Sequence, residues 1–230
     1  MLPFIKAFEA DKWPYKSAIV IQRAIEKTIA LQGHCSVMLT GGRTAARLYK
    51  AWANISEFSA LRQVSFYFGD ERCVSPDDVE SNYNLTMRTL FISGVPSGCR
   101  VVRMDAEGLN PEISAQSYES SLPKYVDILV LTAGEDGHIA SIFPGDDSVF
   151  DQLTAKIVYV KRPDLQMQRI TITPHTIAEA KEIFLLATGS EKNQPLKKAL
   201  YSPLNIRLLP IQLTLRGEWL LDVNSASGLI

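Results

Sequence analysis

Two hydrophobic patterns alternate along the chain. Between residues 13 and 31, Ala18, Ile21, Ile25 and Ile29 recur at spacings of three and four, which predicts a helix. Short runs in which successive residues are apolar stand between such segments, and 127–132 is the clearest of them. Further helices are predicted over 44–54, 82–91, 111–122 and 192–201. Further strands are predicted over 36–40, 64–68, 101–102, 157–160, 169–173 and 183–187.

The unbroken apolar runs predict the fold class. Strands that are covered on both faces are apolar on successive residues, and such burial is typical of parallel sheets. Strands that alternate with helices predict an α/β fold, here three α/β/α layers around a mostly parallel, Rossmann-like open sheet. No linker or repeat divides the chain, so residues 1–230 are interpreted as one domain, with room for a small excursion near 145–175.

Composition narrows the functional classes. The chain has 24 basic and 25 acidic side chains and a net charge of −1. It therefore has no excess of positive charge of the kind that binds nucleic acid or an anionic membrane. The three cysteines are far apart, which argues against a disulfide framework or a zinc site. No apolar run reaches signal-peptide or membrane-span length, so we expect a cytoplasmic protein, either a monomer or a small homo-oligomer.

Four predicted strands run directly into turns that contain glycine. These turns begin at Gly41, Gly69, Gly134 and Gly189. Open α/β sheets bind ligands in the crevice outside the carboxyl ends of their strands, so we expect the turns to converge on one site.

The first turn, Gly41-Gly42-Arg43-Thr44, precedes a helix. Free N–H groups at a helix N-terminus favour an anion such as phosphate. The alternative interpretation is a tight turn with Thr44 as the N-cap. The pattern is neither a G-x-G-x-x-G motif nor a P-loop, so a nucleotide is not implied.

The second turn carries the triplet Asp70-Glu71-Arg72. Arginine presents a planar fork that suits phosphate, and flanking carboxylates would hold it in place. The alternative is a solvated charged turn, with Ser81 and Asn82 only capping the next helix.

The third turn, Asp136-Gly137-His138, carries the sharpest chemistry. A histidine at a strand end can act as a general base near neutral pH, and the aspartate would orient it or keep it protonated. The alternative is a polar start to a helix at Ile139. The other two histidines, His34 and His175, are assigned structural roles.

The fourth turn leads into Lys192, whose compact charge can neutralise phosphate. The alternative is an ordinary exposed lysine at a helix start. Arg169, at the start of a predicted strand, is ambiguous in the same way.

Together these motifs resemble the 6-phosphogluconolactonase family, whose fold belongs with glucosamine-6-phosphate deaminases and ribose-5-phosphate isomerases. The resemblance covers nearly the whole chain in order. The segments that carry it are 38–45, 69–74 with 81–83, 134–145, 169–173 and 189–192.

The resemblance implies hydrolysis of 6-phospho-D-glucono-1,5-lactone to 6-phosphogluconate in the oxidative pentose phosphate pathway, without a metal or a cofactor. It implies catalysis by His138 with Asp136. Phosphate is expected to bind the Gly41-Gly42 amides, Arg72 and Lys192, with Arg43 or Arg169 assisting. The full set of implied substrate-binding residues is Gly41, Gly42, Arg43, Thr44, Asp70, Glu71, Arg72, Ser81, Asn82, Gly137, Arg169 and Lys192.

The chain departs from the family pattern at Arg43, Ala45 and Ile139, where the family usually has serine, proline and threonine. The deaminases are the main competing interpretation, and Ile139 also occurs in their signature. They have glutamate where this chain has Phe143 and tyrosine where it has Arg72, so both differences favour the lactonase. A third interpretation, from a different class, is a non-catalytic sugar-phosphate-binding protein on the same fold.

Overall fold

The computed structural model describes residues 2–152, 154–160, 162 and 165–229. The helices in these residues are α1 Trp13–Gln32, α2 Gly42–Ala53, α3 Ser56–Ser59, α4 Asn82–Thr89, α5 Pro111–Ser121, α6 Asp147–Phe150, α7 Pro174–Glu179 and α8 Asn193–Tyr201. The strands are β1 Phe4–Phe8, β2 Cys35–Leu39, β3 Val64–Phe68, β4 Asp70–Arg72, β5 Arg100–Val101, β6 Ile128–Thr132, β7 Ile157–Val160, β8 Arg169–Ile172, β9 Glu182–Ala187 and β10 Glu218–Asp222. Short 3₁₀ turns cover Ser190–Lys192 and Pro210–Thr214.

Seven strands form the central sheet in the order β1-β10-β9-β6-β2-β3-β5, and every pairing between them is parallel. Helices flank this sheet, which confirms the predicted α/β class. From β2 the chain continues outward through β3 to β5, and it returns at β6 on the other side of β2. The strand order therefore reverses between β2 and β6, where open sheets of this kind bind their ligands.

A second sheet of three strands, in the order β4-β8-β7, is antiparallel. Its strand β4 is the charged triplet Asp70–Arg72, so the interpretation of that triplet as a solvated turn is wrong. The chain passes from β3 to β4 through Gly69, whose N–H donates to the Leu39 carbonyl at 2.8 Å. The strands β7 and β8 lie within the excursion expected near 145–175, and they attach it to the end of β3.

The core explains why these segments fold as they do. Trp13, Trp52 and Trp219 are fully buried, and each indole N–H donates a hydrogen bond inside the protein. A large aromatic ring contributes much of its apolar area to such a core, and its polar N–H needs a partner there. Burying the indoles between helices and sheet thus fixes the layers against each other.

Two buried tyrosines brace strand ends near the reversal point. The Tyr49 hydroxyl donates to the Thr40 carbonyl at 2.7 Å and accepts from the Thr40 N–H at 3.0 Å. The Tyr118 hydroxyl exchanges the same two bonds with Phe68, at 3.1 and 2.7 Å. Because strand-end backbone groups lack ladder partners, these hydroxyls satisfy them and hold the following turns in place.

The predicted helices and strands are found within a few residues of their expected bounds, whereas β1, β4 and β10 were not anticipated. The alternative interpretation of the third turn, a helix start at Ile139, is wrong. Instead, Ile139 forms isolated bridges with Ala133 and Ile142, and Ala140 has a φ of 49°. Among the described residues, no helix is long and apolar enough to cross a membrane.

Candidate active site

A cleft of about 670 Å³ opens at the carboxyl ends of β2, β6, β9 and β10. Its walls contain the turns after these strands and the first turn of α2. The lining residues that the sequence predicted are Gly41, Gly42, Arg43, Thr44, Asp136, His138 and Lys192. Three of the four glycine turns therefore meet at one place, whereas the turn that begins at Gly69, which was expected there too, does not line the cleft.

Threonine hydroxyls connect the strand ends beneath the cleft. Thr40 and Thr132, at the ends of β2 and β6, have their hydroxyls 3.5 Å apart. The hydroxyl of Thr44 lies 3.2 Å from that of Thr188, which follows β9. These contacts join α2 and the strands, so the cleft has a polar, fixed floor.

The first turn of α2 offers unpaired backbone N–H groups. Gly41 is the N-cap and makes no side-chain capping bond, so the interpretation of Thr44 as the N-cap is wrong. Gly42 adopts a φ of +92°, a conformation that favours glycine. The Arg43 side chain is exposed at the mouth of the cleft. Amides at a helix N-terminus together with a free cation make this end of the cleft suitable for an anion.

Asn82 supports the Gly41 turn from behind. A Cβ on Gly41 would lie 1.8 Å from Asn82 Oδ1, so only glycine fits against this amide. The Asn82 amide nitrogen donates to the carbonyl and the carboxylate of Asp70, at 3.0 and 3.3 Å. Asp70 also accepts from the Ser141 hydroxyl at 2.7 Å, which ties the third turn to the same cluster.

Glu71 is buried and holds the start of α4. Its carboxylate accepts from the backbone N–H groups of Arg72, Asn82 and Tyr83, and from the Ser81 hydroxyl. Burial raises the pKa of Glu71, while the backbone hydrogen bonds oppose that shift. Ser81 is the N-cap of α4, which agrees with the alternative interpretation of this segment, and its hydroxyl accepts from the Asn84 N–H. These side chains brace the site and do not line the cleft.

Arg72 and Arg169 face each other across β4 and β8. Arg72 donates to the carbonyl of Glu80 and lies 3.3 Å from its carboxylate, while Arg169 lies 4.0 Å from Asp70. Burial lowers the pKa of Arg169, and the charge of Arg72 adds to that shift. The Nε atoms of both arginines are buried without a hydrogen-bond partner. This pair therefore retains unused donors, although neither side chain lines the cleft.

His138 and Asp136 form the hydrogen-bonded pair that the sequence suggested. His138 Nδ1 lies 2.6 Å from Asp136 Oδ1, and the same oxygen accepts from the His138 backbone N–H at 3.0 Å. Burial would raise the pKa of Asp136, but the hydrogen bond and charge of His138 outweigh it and lower that pKa to about 2. With Nδ1 directed at a carboxylate, Nε2 is the nitrogen left for proton transfer.

Close packing fixes the imidazole. A Cβ on Gly134 would lie 2.1 Å from His138 Nδ1, so a side chain there would displace the ring. On another side, the Phe143 ring centroid lies 5.0 Å from that of His138. Gly137, between the pair, has a φ of +89° and accepts from the Ile211 N–H through its carbonyl. Its role is to shape the turn.

Lys192 reaches the cleft from the start of α8. Its side chain is 14% exposed, and its Nζ lies 3.6 Å from the carboxylate of Glu135, which is 62% exposed. An exposed carboxylate is a weak partner, so an anion in the cleft can replace it. Lys192 thus joins Arg43 as a cationic side chain in the cleft that also contains His138.

A larger groove of about 880 Å³ lies between α5 and β7. Among the described residues that line it there is no histidine or arginine, and none of them belongs to the glycine turns. Among the described residues, no group of histidine, cysteine and carboxylate side chains is placed to hold a metal ion. The chemistry of the sequence motifs therefore concentrates in the smaller cleft.

Sequence reasoning missed several residues of the cleft. Arg47 is one helical turn beyond Arg43, and Asp222 ends the unanticipated strand β10. The cleft is also lined by Ala10, Thr132, Ala133, Glu135, Thr188, Glu191 and Asn224, and by Gly134 and Gly189, with which two of the predicted turns begin. Arg43 and Arg47 are four residues apart on α2, but the predicted helix began at residue 44, so the two arginines were not paired from the sequence.

The chain is similar to known proteins over most of its length. The profile of a family described as glucosamine-6-phosphate isomerases/6-phosphogluconolactonase matches residues 10–221. A 6-phosphogluconolactonase from Treponema pallidum is 33% identical over 175 residues, 72% of each chain. One from Aggregatibacter actinomycetemcomitans is 30% identical over 201 residues, 83% of this chain and 85% of its own.

A solved structure has the same architecture. The crystal structure of 6-phosphogluconolactonase from Leishmania guyanensis superposes with a TM-score of 0.85 at 27% identity and covers 100% of both chains. Together, the profile match, these relatives and the shared fold show that the chain belongs to the family of glucosamine-6-phosphate isomerases and 6-phosphogluconolactonases.

Proposed function

We propose that this protein hydrolyses 6-phospho-D-glucono-1,5-lactone to 6-phosphogluconate in the oxidative pentose phosphate pathway. The relatives from Treponema and Aggregatibacter are 6-phosphogluconolactonases, which supports this substrate. The observation that carries the proposal is the pairing of His138 with Asp136 in a cleft that also holds Lys192 and the start of α2. One base and one anion-binding surface are what hydrolysis of a phosphorylated lactone requires.

His138 acts as the general base through Nε2. It takes a proton from a water molecule while the water oxygen bonds to the lactone carbonyl carbon. The bond from that carbon to the ring oxygen then breaks, and His138 returns the proton to this oxygen, which becomes a hydroxyl. Asp136 orients the imidazole and stabilises its positive charge during the step. Acid-base assistance of this kind is worth ~10²–10⁴-fold in rate.

The phosphate binds the unpaired amides at Gly42 and Arg43, the Thr44 hydroxyl and the Lys192 ammonium. These groups share the cleft with His138, so gripping the phosphate sets the carbonyl against the base. Arg43 supplies the charge at the position where the family usually has serine. Arg72 and Arg169 do not line the cleft and their unpaired Nε atoms are buried, so contact with the phosphate requires these side chains to move.

The remaining residues implied by the resemblance have a bracing role in this proposal. Asp70 and Asn82 hold the Gly41 turn, while Glu71 and Ser81 hold the start of α4. Gly137 shapes the histidine turn. None of them needs to touch the substrate for the cleft to work.

The deaminase alternative requires a glutamate beside the histidine. The corresponding position here is Phe143, whose ring packs against His138. An apolar ring cannot transfer a proton, which favours lactone hydrolysis. A binding protein without catalysis would not need the 2.6 Å contact between Asp136 and His138.

The test is a pair of assays on the same protein preparation. Fresh 6-phosphogluconolactone should be hydrolysed well above its spontaneous rate, and glucosamine 6-phosphate should release no ammonia. Deaminase activity without lactonase activity would exclude the proposal. Tight binding of 6-phosphogluconate with neither activity would instead identify a sugar-phosphate-binding protein.

A further inference from the structure

Asp222 is a buried carboxylate at the edge of the cleft that the proposed reaction does not use. It ends β10 and is only 2% exposed. Its Oδ1 accepts from the backbone N–H of Gly189 at 3.1 Å and of Ser225 at 2.8 Å, and Oδ2 lies 3.2 Å from the same Gly189 nitrogen. A carboxylate placed beside an anion-binding surface repels the anion, so its presence there needs a reason.

The reason lies in the turn that delivers Lys192. Gly189 follows β9 and adopts a φ of +95°, and a Cβ there would lie 2.4 Å from the Glu191 carboxylate. The Gly189 N–H points at Asp222 and is not available to a ligand, contrary to what a glycine turn alone suggests. Three residues later, Lys192 enters the cleft.

Two further hydrogen bonds join the turn after β10 to the chain on either side of the Gly189 turn. The Ser225 hydroxyl donates to the Ala187 carbonyl at 3.0 Å, and the Asn193 amide donates to the Ser225 carbonyl at 3.1 Å. The turn after β10 is therefore bonded to the end of β9 and to the start of α8. Within this set of hydrogen bonds, Asp222 is the group that accepts directly from the Gly189 N–H.

We infer that Asp222 is a positioning residue, which locks the Gly189 turn so that Lys192 is held ready for the substrate phosphate. This inference rests on the proposed function for the identity of the phosphate. Because the lock acts on the lysine, it affects only substrates that carry the phosphate. Preorganisation of this kind lowers the cost of ordering the site on binding.

The chain provides a matched control in Asp127. This carboxylate is also buried, and it also accepts from a backbone N–H and a hydroxyl, both of Ser36, at 2.8 and 2.7 Å. It precedes β6, so it lies at the opposite end of the sheet from the cleft. Loss of a buried carboxylate can therefore be separated from loss of the lock.

The experiment compares Asp222→Ala, Asp222→Asn and the control Asp127→Ala. Asp222→Ala should raise KM for the phosphorylated lactone roughly tenfold and leave unphosphorylated gluconolactone unchanged. Charge alone predicts the opposite, because removal of a negative charge would lower KM. Asp222→Asn should restore most of the affinity, since its amide oxygen can still accept from Gly189 and Ser225. Asp127→Ala should leave both KM values unchanged.

An unchanged or lowered KM in Asp222→Ala, or an equal rise for both lactones, would overturn the inference. If the alanine variant does not fold, the inference is tested by hydrogen exchange of the Gly189 backbone amide in the unaltered, ligand-free protein. Slow exchange of this amide is expected, and fast exchange would show that Asp222 does not hold the Gly189 turn. If the unaltered protein hydrolyses no lactone, titration with inorganic phosphate tests Asp222 separately, and weaker binding in Asp222→Ala would retain the positioning role.

Discussion

Replacement of Lys192 by alanine tests the phosphate grip. A hydrogen bond to a charged group contributes ~1.5–3 kcal/mol. Against this stands the ion pair with Glu135, which must be given up on binding. That carboxylate is 62% exposed and 3.6 Å away, and exposed pairs contribute at most about 1 kcal/mol. The net loss in Lys192→Ala is then about 0.5–3 kcal/mol, or roughly 2- to 160-fold in KM.

The assay measures KM and kcat for 6-phosphogluconolactone and for unphosphorylated gluconolactone. Lys192→Ala should raise KM for the first and leave the second unchanged. Lys198, exposed on α8, provides the control, because Lys198→Ala removes a lysine from the same helix outside the cleft. Equal effects on both lactones, or no effect on either, would refute the assignment of Lys192 to the phosphate.

Three further predictions concern the histidine pair and the strand braces. Gly134→Ala should lower kcat at least about tenfold in the lactonase assay, because the new Cβ would lie 2.1 Å from His138 Nδ1 and shift the ring. Tyr118→Phe leaves the buried Phe68 N–H without its partner, so urea unfolding should show a loss of about 1–3 kcal/mol. The pKa of Asp136 is lowered to about 2, so its ionised form stabilises the native state above about pH 4, and this contribution disappears as the pH falls through about 2. The difference in free energy of unfolding between the unaltered protein and Asp136→Asn should shrink over that range.

Each of these has an outcome that contradicts it. Gly134→Ala with unchanged kcat would mean that the ring position is unimportant. The exposed Tyr15 serves as control for the stability measurement, and Tyr118→Phe must lose more than Tyr15→Phe. If the difference in free energy of unfolding between the unaltered protein and Asp136→Asn does not change with pH, the ionised Asp136 does not stabilise the fold.

Much of the fold follows from local pattern. The helix over Trp13–Gln32 and the strand over Ile128–Thr132 have strong, unbroken signals and lie within a residue of their predicted bounds. The strand β10 was missed because its apolar run, Trp219 to Leu221, is only three residues long, has acidic residues on both sides and follows a segment without periodicity. The strand β4 was missed because three charged residues do not suggest a strand, and Asp70 and Glu71 are buried only through distant partners.

The residues of the site likewise include some that the local sequence pattern predicted and others that it did not. The turns at Gly41, His138 and Lys192 were predicted to converge, because parallel strands present their carboxyl ends at one edge. The bracing positions of Asp70 and Glu71 depend on contacts with residues some 10 to 70 positions away, which no local pattern encodes. Whether Arg72 and Arg169 touch the substrate stays a prediction.

The central claim is that His138 is the base of a lactonase, and one variant tests it most directly. His138→Ala should lower kcat for 6-phosphogluconolactone by ~10²-fold or more, because the base acts in the transition state. The same variant should bind 6-phosphogluconate almost as tightly as the unaltered protein, since the phosphate grip lies on other residues. A His138→Ala protein that turns over the lactone at nearly the original kcat would contradict the account.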